Sequence, residues 1–229
     1  MKDIKFTVYL SIIIILASCS TSTKKDNKTV KKNNSDETEV RAKDKPVILF
    51  FGNSITAGYG IDPENAFSSL IQERLDSQNY NYLVINAGLS GETTASGFSR
   101  VSWVLKTVPE IFVLELGAND GLRGIDVNET RKNLKLIIQK VKELSPEVKI
   151  LLAGMEVPPS MGEDYAGSFR KIFPEVSETE EVSLIPFILD KVAGEPELNL
   201  PDGIHPTEEG HQIVAETVWT YLKPLLQKS

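Results

Sequence analysis

Apolar residues along this chain follow two rhythms that alternate. Short continuous runs come first in each pair: Val47-Ile48-Leu49-Phe50-Phe51 ended by Gly52, then Leu83-Val84-Ile85, Ile111 to Leu114, Val148 to Leu152 and Val182 to Ile185. Unbroken apolar runs of this length suit strands buried on both faces. Between them the spacing becomes helical, with Phe67, Leu70, Ile71 and Leu75 on one side, and later Leu134, Ile137, Ile138, Val141 and Leu144. Thr93 to Leu105 and part of 160–180 are expected to be helical, and Ile213, Val214, Val218 and Leu222 mark a closing helix. Three starts carry cap signals. Asp62 precedes Pro63, Asp126 stands three residues before Glu129 in the manner of a capping box, and Thr207 precedes Glu208 and Glu209.

Strands alternating with helices predict an α/β fold: a parallel sheet with helices on both faces, in three layers. In such open sheets, sites form beyond the carboxyl ends of the strands. The polar clusters of this chain lie there. The first strand runs into Gly52-Asn53-Ser54-Ile55-Thr56-Ala57-Gly58, the second into Asn86-Ala87-Gly88-Leu89-Ser90-Gly91-Glu92, and the third into Glu115-Leu116-Gly117-Ala118-Asn119-Asp120. A loop before the last helix holds Asp202-Gly203-Ile204-His205-Pro206.

The N-terminal region follows neither rhythm. Lys2 and Lys5 precede an apolar stretch from Phe6 to Leu16, too short to span a bilayer comfortably and matching a secretory leader. Leu16-Ala17-Ser18-Cys19 resembles a bacterial lipobox, in which the cysteine is lipidated and becomes the new N-terminus; the plainer alternative is an ordinary secretory leader. Residues 20–45 are Lys, Asn, Ser, Thr, Asp and Glu with almost no apolar side chain, a composition that cannot offset its ordering entropy. The expected organisation is a signal peptide over 1–18, a disordered tether over 19–45 and one folded domain over 46–229. The domain would be exported and lipid-anchored at Cys19, on the periplasmic side or at the cell surface. Cys19 is the sole cysteine among 229 residues, so no intramolecular disulfide is available and the core must hold the fold.

Composition changes little beyond this. Hydrophobic residues make up 41% and charged residues 25%, as in an ordinary globular domain. The net charge of -7 and pI near 5.1 argue against a nucleic-acid partner, which needs a basic face.

Ser54 on its own reads equally well as a helix cap, because chemistry requires a base to take the hydroxyl proton. The chain has two histidines. His205 follows Asp202 by three residues with Gly203 between, a spacing that lets the carboxylate hold Nδ1–H while Nε2 faces a serine. His211 sits inside the closing helix and is expected to be a surface or packing residue. Zinc is not implied, since paired-histidine helical spacing and an available cysteine are both lacking; no metal or organic cofactor is expected. Acyl transfer also needs donors for the tetrahedral oxyanion. The N–H of Ser54, the N–H of Gly91 and the side-chain amide of Asn119 are the candidates, although singly Gly91 reads as a turn glycine and Asn119 as a loop cap. The Gly-x-Ser-x-Gly elbow is absent, with Thr56 in place of its second glycine, and Walker and Gly-x-Gly-x-x-Gly fingerprints are missing after the first strand.

Together the four clusters resemble the SGNH (GDSL) hydrolases, over Val47 to the closing helix. The chain is most similar to the bacterial subgroup of multifunctional thioesterases, arylesterases and lysophospholipases, through Leu114-Glu115-Leu116-Gly117-Ala118-Asn119-Asp120-Gly121-Leu122-Arg123-Gly124, Leu184-Ile185-Pro186-Phe187 and Asp202-Gly203-Ile204-His205-Pro206. The resemblance implies a flavodoxin-like sheet, with Ser54 as nucleophile, Asp202 and His205 as its triad partners, and Gly91 and Asn119 completing the oxyanion hole. It also implies ester, thioester or lysophospholipid substrates. One departure stands out: the family usually has Asp before the serine and Leu after it, where this chain has Asn53 and Ile55. Two other functions are weighed against this one, a carbohydrate O-acetylesterase and a lipoprotein that binds a ligand without catalysis. The segments Gly154 to Tyr165 and Leu122 to Val127 are expected to border the acyl pocket.

Overall fold

The computed structural model describes residues 45–228. The expected leader, Cys19 and the expected tether up to residue 44 lie outside them. Five strands form one parallel sheet in the order β2-β1-β3-β4-β5. They are β1 (Val47–Gly52), β2 (Leu83–Gly88), β3 (Ile111–Glu115), β4 (Lys149–Ala153) and β5 (Ser183–Ile185). The central strands β1 and β3 are buried along their whole length, as their unbroken apolar runs require. β2, at an edge, is mostly half-buried.

Seven α-helices connect and cover the sheet: α1 (Ser54–Ala57), α2 (Phe67–Ser77), α3 (Thr94–Val104), α4 (Ala118–Leu122), α5 (Val127–Leu144), α6 (Glu163–Glu180) and α7 (Glu208–Leu222). α2 packs on α7, while α3 packs on α5 and α5 on α6, giving a helical layer on each side of the sheet. The expected three-layer α/β/α architecture with a flavodoxin-like strand order is therefore present. Side chains such as Phe50, Phe51, Phe67, Phe112, Phe169 and Phe173 fill the space between layers.

This order reverses direction between β1 and β3, because the chain passes from β1 outward to β2 and then returns to the far side of β1. A crevice opens where neighbouring strands send their connections to opposite faces. Ser54 leaves β1 and Asn119 follows β3, so the two stand at that reversal.

Two expected helix starts are corrected. Pro63–Asn65 is a separate 3-10 turn in which Asp62 makes no side-chain cap, and α2 begins only at Phe67. The N–H of Phe67 is instead satisfied from outside by His211 Nδ1 at 3.2 Å, so a tertiary contact does what a local cap was expected to do. Asp126 does cap α5, but it accepts from the N–H of Asn128 rather than Glu129, and Glu129 turns outward to Lys132. The reciprocal capping box occurs at α3, where Thr93 and Ser96 hold each other's backbone N–H. Serine at the third position, in place of Glu or Gln, hid it from the sequence pattern.

Candidate active site

β1 ends in a turn that only a small residue allows. A Cβ on Gly52 would lie 2.1 Å from Thr56 Oγ1, and one on Gly88 of β2 would lie 2.3 Å from the backbone nitrogen of Ala57. The chain thus folds tightly back over the strand ends and starts α1 at Ser54. Asn53 caps this short helix, its Oδ1 accepting the N–H of Ile55 at 3.0 Å. Ser54 is nearly buried, at 8% exposure, yet its hydroxyl faces the rim of the sheet.

His205 reaches that hydroxyl across 151 residues of sequence. Its Nε2 is 2.9 Å from Ser54 Oγ, and its Nδ1 is 2.7 Å from Asp202 Oδ2. The loop that carries both residues is pinned by backbone bonds from Leu200 N–H to His205 O and from Thr207 N–H to Leu198 O. Inside the loop, Gly203 adopts a left-handed φ of +68°, which glycine takes without a Cβ penalty. That turn lets Asp202 Oδ1 accept from the N–H groups of Ile204 and His205, at 2.9 and 3.0 Å. These bonds, led by the one from the His205 N–H and joined by the His205 ring, outweigh desolvation and hold the Asp202 carboxyl down to about 2. It is therefore ionised across the working range, and its charge favours the tautomer with hydrogen on Nδ1 and a free Nε2. Tyr59 covers the imidazole, with ring centroids 4.5 Å apart.

The expected oxyanion donors come from three strand ends. Among the described residues, the N–H groups of Ser54 and Gly91 make no hydrogen bond. Gly91 occupies a turn closed by Glu92 N–H to Leu89 O, with φ +81° as a type II turn requires at this position. Asn119 donates one amide hydrogen to Glu92 O at 3.1 Å, leaving the other free. Glu92 is itself fixed: its buried carboxylate is held by Arg100 through Nε and Nη2 at 2.7 and 2.5 Å, while Arg100 also donates to Ala87 O and lies over the Phe51 ring. Arg123 Nη2 donates to Gly91 O at 3.0 Å, tying the turn to the end of α4. A buried Asp120 accepts the N–H and hydroxyl of Thr94, fastening α4 to α3.

Beside Ser54 opens an apolar cleft of about 380 Å³. Leu122 and Met155 to Pro159 line it, within the segments expected to do so, but Phe187 to Gly194 contributes a wall that the sequence reading did not include, and Ile204 closes it near the histidine. Ile55 and Ala118, next to Ser54 and Asn119, form its floor at the reactive end.

Two residues were given no role from sequence. His211 is a packing histidine and not a surface one, 1% exposed, and burial holds its pKa down to about 4. Glu115 is wholly buried at the end of β3, beneath the Ser54 turn. A charged residue closing the apolar run Ile111–Leu114 was the signal available for it. The arrangement contains the parts that acyl transfer requires: a hydroxyl hydrogen-bonded to an oriented base, free donors on neighbouring loops, and an apolar groove leading to them.

Comparison with known proteins agrees. Residues 50–213 match the GDSL-like lipase/acylhydrolase family. Esterase TesA of Pseudomonas aeruginosa is 38% identical over 180 residues, covering 78% of this chain and 89% of the relative. Thioesterase 1/protease 1/lysophospholipase L1 of Escherichia coli K12 is 33% identical over 187 residues, covering 81% and 88%. A crystal structure of TesA superposes with a TM-score of 0.76 at 38% identity, over 79% of this chain and 99% of that one. A shared fold, a family match across most of the described domain, and relatives that are esterases and thioesterases lead to one conclusion: this chain belongs to the GDSL-like lipase/acylhydrolase family and is an ester hydrolase.

Proposed function

We propose that the chain hydrolyses carboxylic esters and thioesters through an acyl-enzyme formed on Ser54, with His205 and Asp202 completing a catalytic triad. The observation that carries this reading is the unbroken relay from Asp202 Oδ2 through His205 to Ser54 Oγ, at 2.7 and 2.9 Å. In the acylation step the Ser54 oxygen attacks the acyl carbonyl carbon while its proton passes to His205 Nε2. Asp202 stabilises the imidazolium through Nδ1–H. The oxyanion is received by the N–H groups of Ser54 and Gly91 and by Asn119 Nδ2, each such donor contributing about 2.7–4 kcal/mol to lowering the barrier. Collapse of the tetrahedral intermediate breaks the bond to the leaving alkoxide or thiolate, which takes the proton from His205. Water then enters, is deprotonated by the same nitrogen, and releases the acid.

The apolar lining of the cleft supports an acyl chain as the group it holds. Relatives named thioesterase, lysophospholipase and arylesterase support ester, thioester and lysophospholipid substrates. Export and lipidation at Cys19, if they occur as the sequence of the leader suggests, would set the domain near a membrane that supplies lipid esters. The test is Ser54→Ala: hydrolysis of p-nitrophenyl butyrate and fluorophosphonate labelling should both vanish while near-UV circular dichroism is unchanged. Turnover at the wild-type rate by the folded variant refutes the assignment. A p-nitrophenyl series from acetate to decanoate checks the cleft, with kcat/KM rising beyond acetate expected.

A further inference from the structure

The carboxylate of Glu115 is buried under the Ser54 turn, and four donors converge on it. Asn53 Nδ2 donates to Oε1 at 2.6 Å. The Thr56 hydroxyl, the Asn53 N–H and the Thr56 N–H donate to Oε2 at 2.8, 3.2 and 3.3 Å. These groups belong to the residue just before Ser54 and the residue two after it, so one carboxylate clamps the turn on both sides of the hydroxyl. No cation is among its partners. A buried carboxylate is tolerated when hydrogen bonds to its charged form replace water. Burial nevertheless pushes its pKa up to about 7 against the pull of those bonds.

Asn53 cannot turn over without loss. Its Oδ1 accepts the N–H of Ile55, which fixes Nδ2 toward Glu115. The pair therefore reads as one amide donor meeting one carboxylate acceptor. A carboxylate at both positions would bring two acceptors together with no hydrogen between them. An amide at both would face donor to donor or else forfeit the α1 cap.

We propose that Glu115 is the positioning residue of the Ser54 turn, fixing the direction of the Ser54 hydroxyl and N–H through Asn53 and Thr56, and that the single negative charge of the Asn53–Glu115 pair functions equally well at either position. The requirement is for one charge and one amide hydrogen between the two side chains. With Asp at 53 and Gln at 115, the Asp accepts from Ile55 N–H and from the Gln amide. The Gln oxygen then takes the three bonds now made to Oε2.

This inference rests on Ser54 as the nucleophile, and the experiment keeps the two apart. Glu115→Gln, Asn53→Asp and the double variant Asn53→Asp/Glu115→Gln are compared with wild type for kcat and KM on p-nitrophenyl butyrate. The rate at which a fluorophosphonate labels Ser54 is measured in parallel. Each single change should lower kcat and the labelling rate together by about 10- to 100-fold with KM within about threefold, the size expected when a reacting group is misplaced without loss of substrate binding. The double variant should return both to within about fivefold of wild type. A single variant that fails to fold while the double folds and turns over supports the pairing equally. The proposal is overturned by full activity in Glu115→Gln, or by a double variant no better than the poorer single one, folded or not. Failure of the nucleophile assignment looks different: wild type would then escape labelling or Ser54→Ala would remain active, whatever the pair does.

Discussion

Lowering the pH from 7 to 4 asks the imidazole of His211 to take a proton that its surroundings cannot accommodate. The ring is 1% exposed, and its Nδ1 already serves as acceptor for the Phe67 N–H at the start of α2. Burial first, and the neighbouring His205 second, bring its pKa from 6.5 down to about 4. The unfolded imidazole protonates near 6.5 and the folded one near 4, so between these values the unfolded state binds more protons. Stability is whole above about pH 6.5, falls as the pH drops, and reaches its full deficit below about pH 4. The gap corresponds to about 3 kcal/mol at the acid end, of which about 2.5 kcal/mol is already lost at pH 4.5. Protonation also removes the acceptor that satisfies Phe67. The assay is urea unfolding at pH 7, 6, 5 and 4.5 for wild type and His211→Gln. The glutamine oxygen can still accept from Phe67 but does not titrate. At pH 7 the variant should be weaker by about 1 kcal/mol, the usual effect of an imperfect cap. By pH 4.5 the order should reverse, since only wild type carries the proton-linked loss. Two curves that stay parallel down to pH 4.5 refute the reasoning, because other carboxylates and His205 titrate alike in both proteins.

Two further outcomes follow from the site. Asp202→Asn presents an amide hydrogen to Nδ1 and favours the wrong tautomer, so kcat on p-nitrophenyl butyrate should drop by about 10³- to 10⁴-fold with little change in KM; a loss under tenfold would mean that the carboxylate does not orient His205. Arg100→Met leaves the buried Glu92 carboxylate without its cation and should cost about 3–5 kcal/mol in urea unfolding, with a smaller fall in kcat because Glu92 O anchors Asn119. A stability change below 1 kcal/mol would show that Glu92 finds other partners.

The frame of the protein was legible because burial on both faces leaves a direct trace in the sequence: β1 and β3 are unbroken apolar runs, and each is followed by the polar cluster that the parallel topology brings to one rim. The relay was legible for a different reason, since two histidines left few candidates and Asp202 lies only three residues from His205. What escaped reading depends on contacts distant in sequence. Phe67 starts α2 because His211, 144 residues away, meets its N–H. Glu115 looked like a strand end until Asn53 and Thr56 were found around it. Pro174 lies inside α6, and proline normally argues against a helix interior, so the extent of that helix could not be set by local preference. The Phe187–Gly194 wall carries no periodic pattern, and its place beside Leu122 and Met155 follows only from how the chain leaves β5.

That wall has a bearing on how such enzymes diversify. It hangs from the segment between β5 and α7, whereas the hydroxyl, the turn beneath it and the oxyanion donors are rooted in β1, β2 and β3. Residues that choose the acyl group can thus change by insertion or replacement at the sheet's far margin without disturbing the reacting atoms, and only Ile204, one residue before the histidine, couples the two. Variation in substrate preference should therefore collect between 187 and 194, with position 204 the one place where altered selectivity carries a cost in rate.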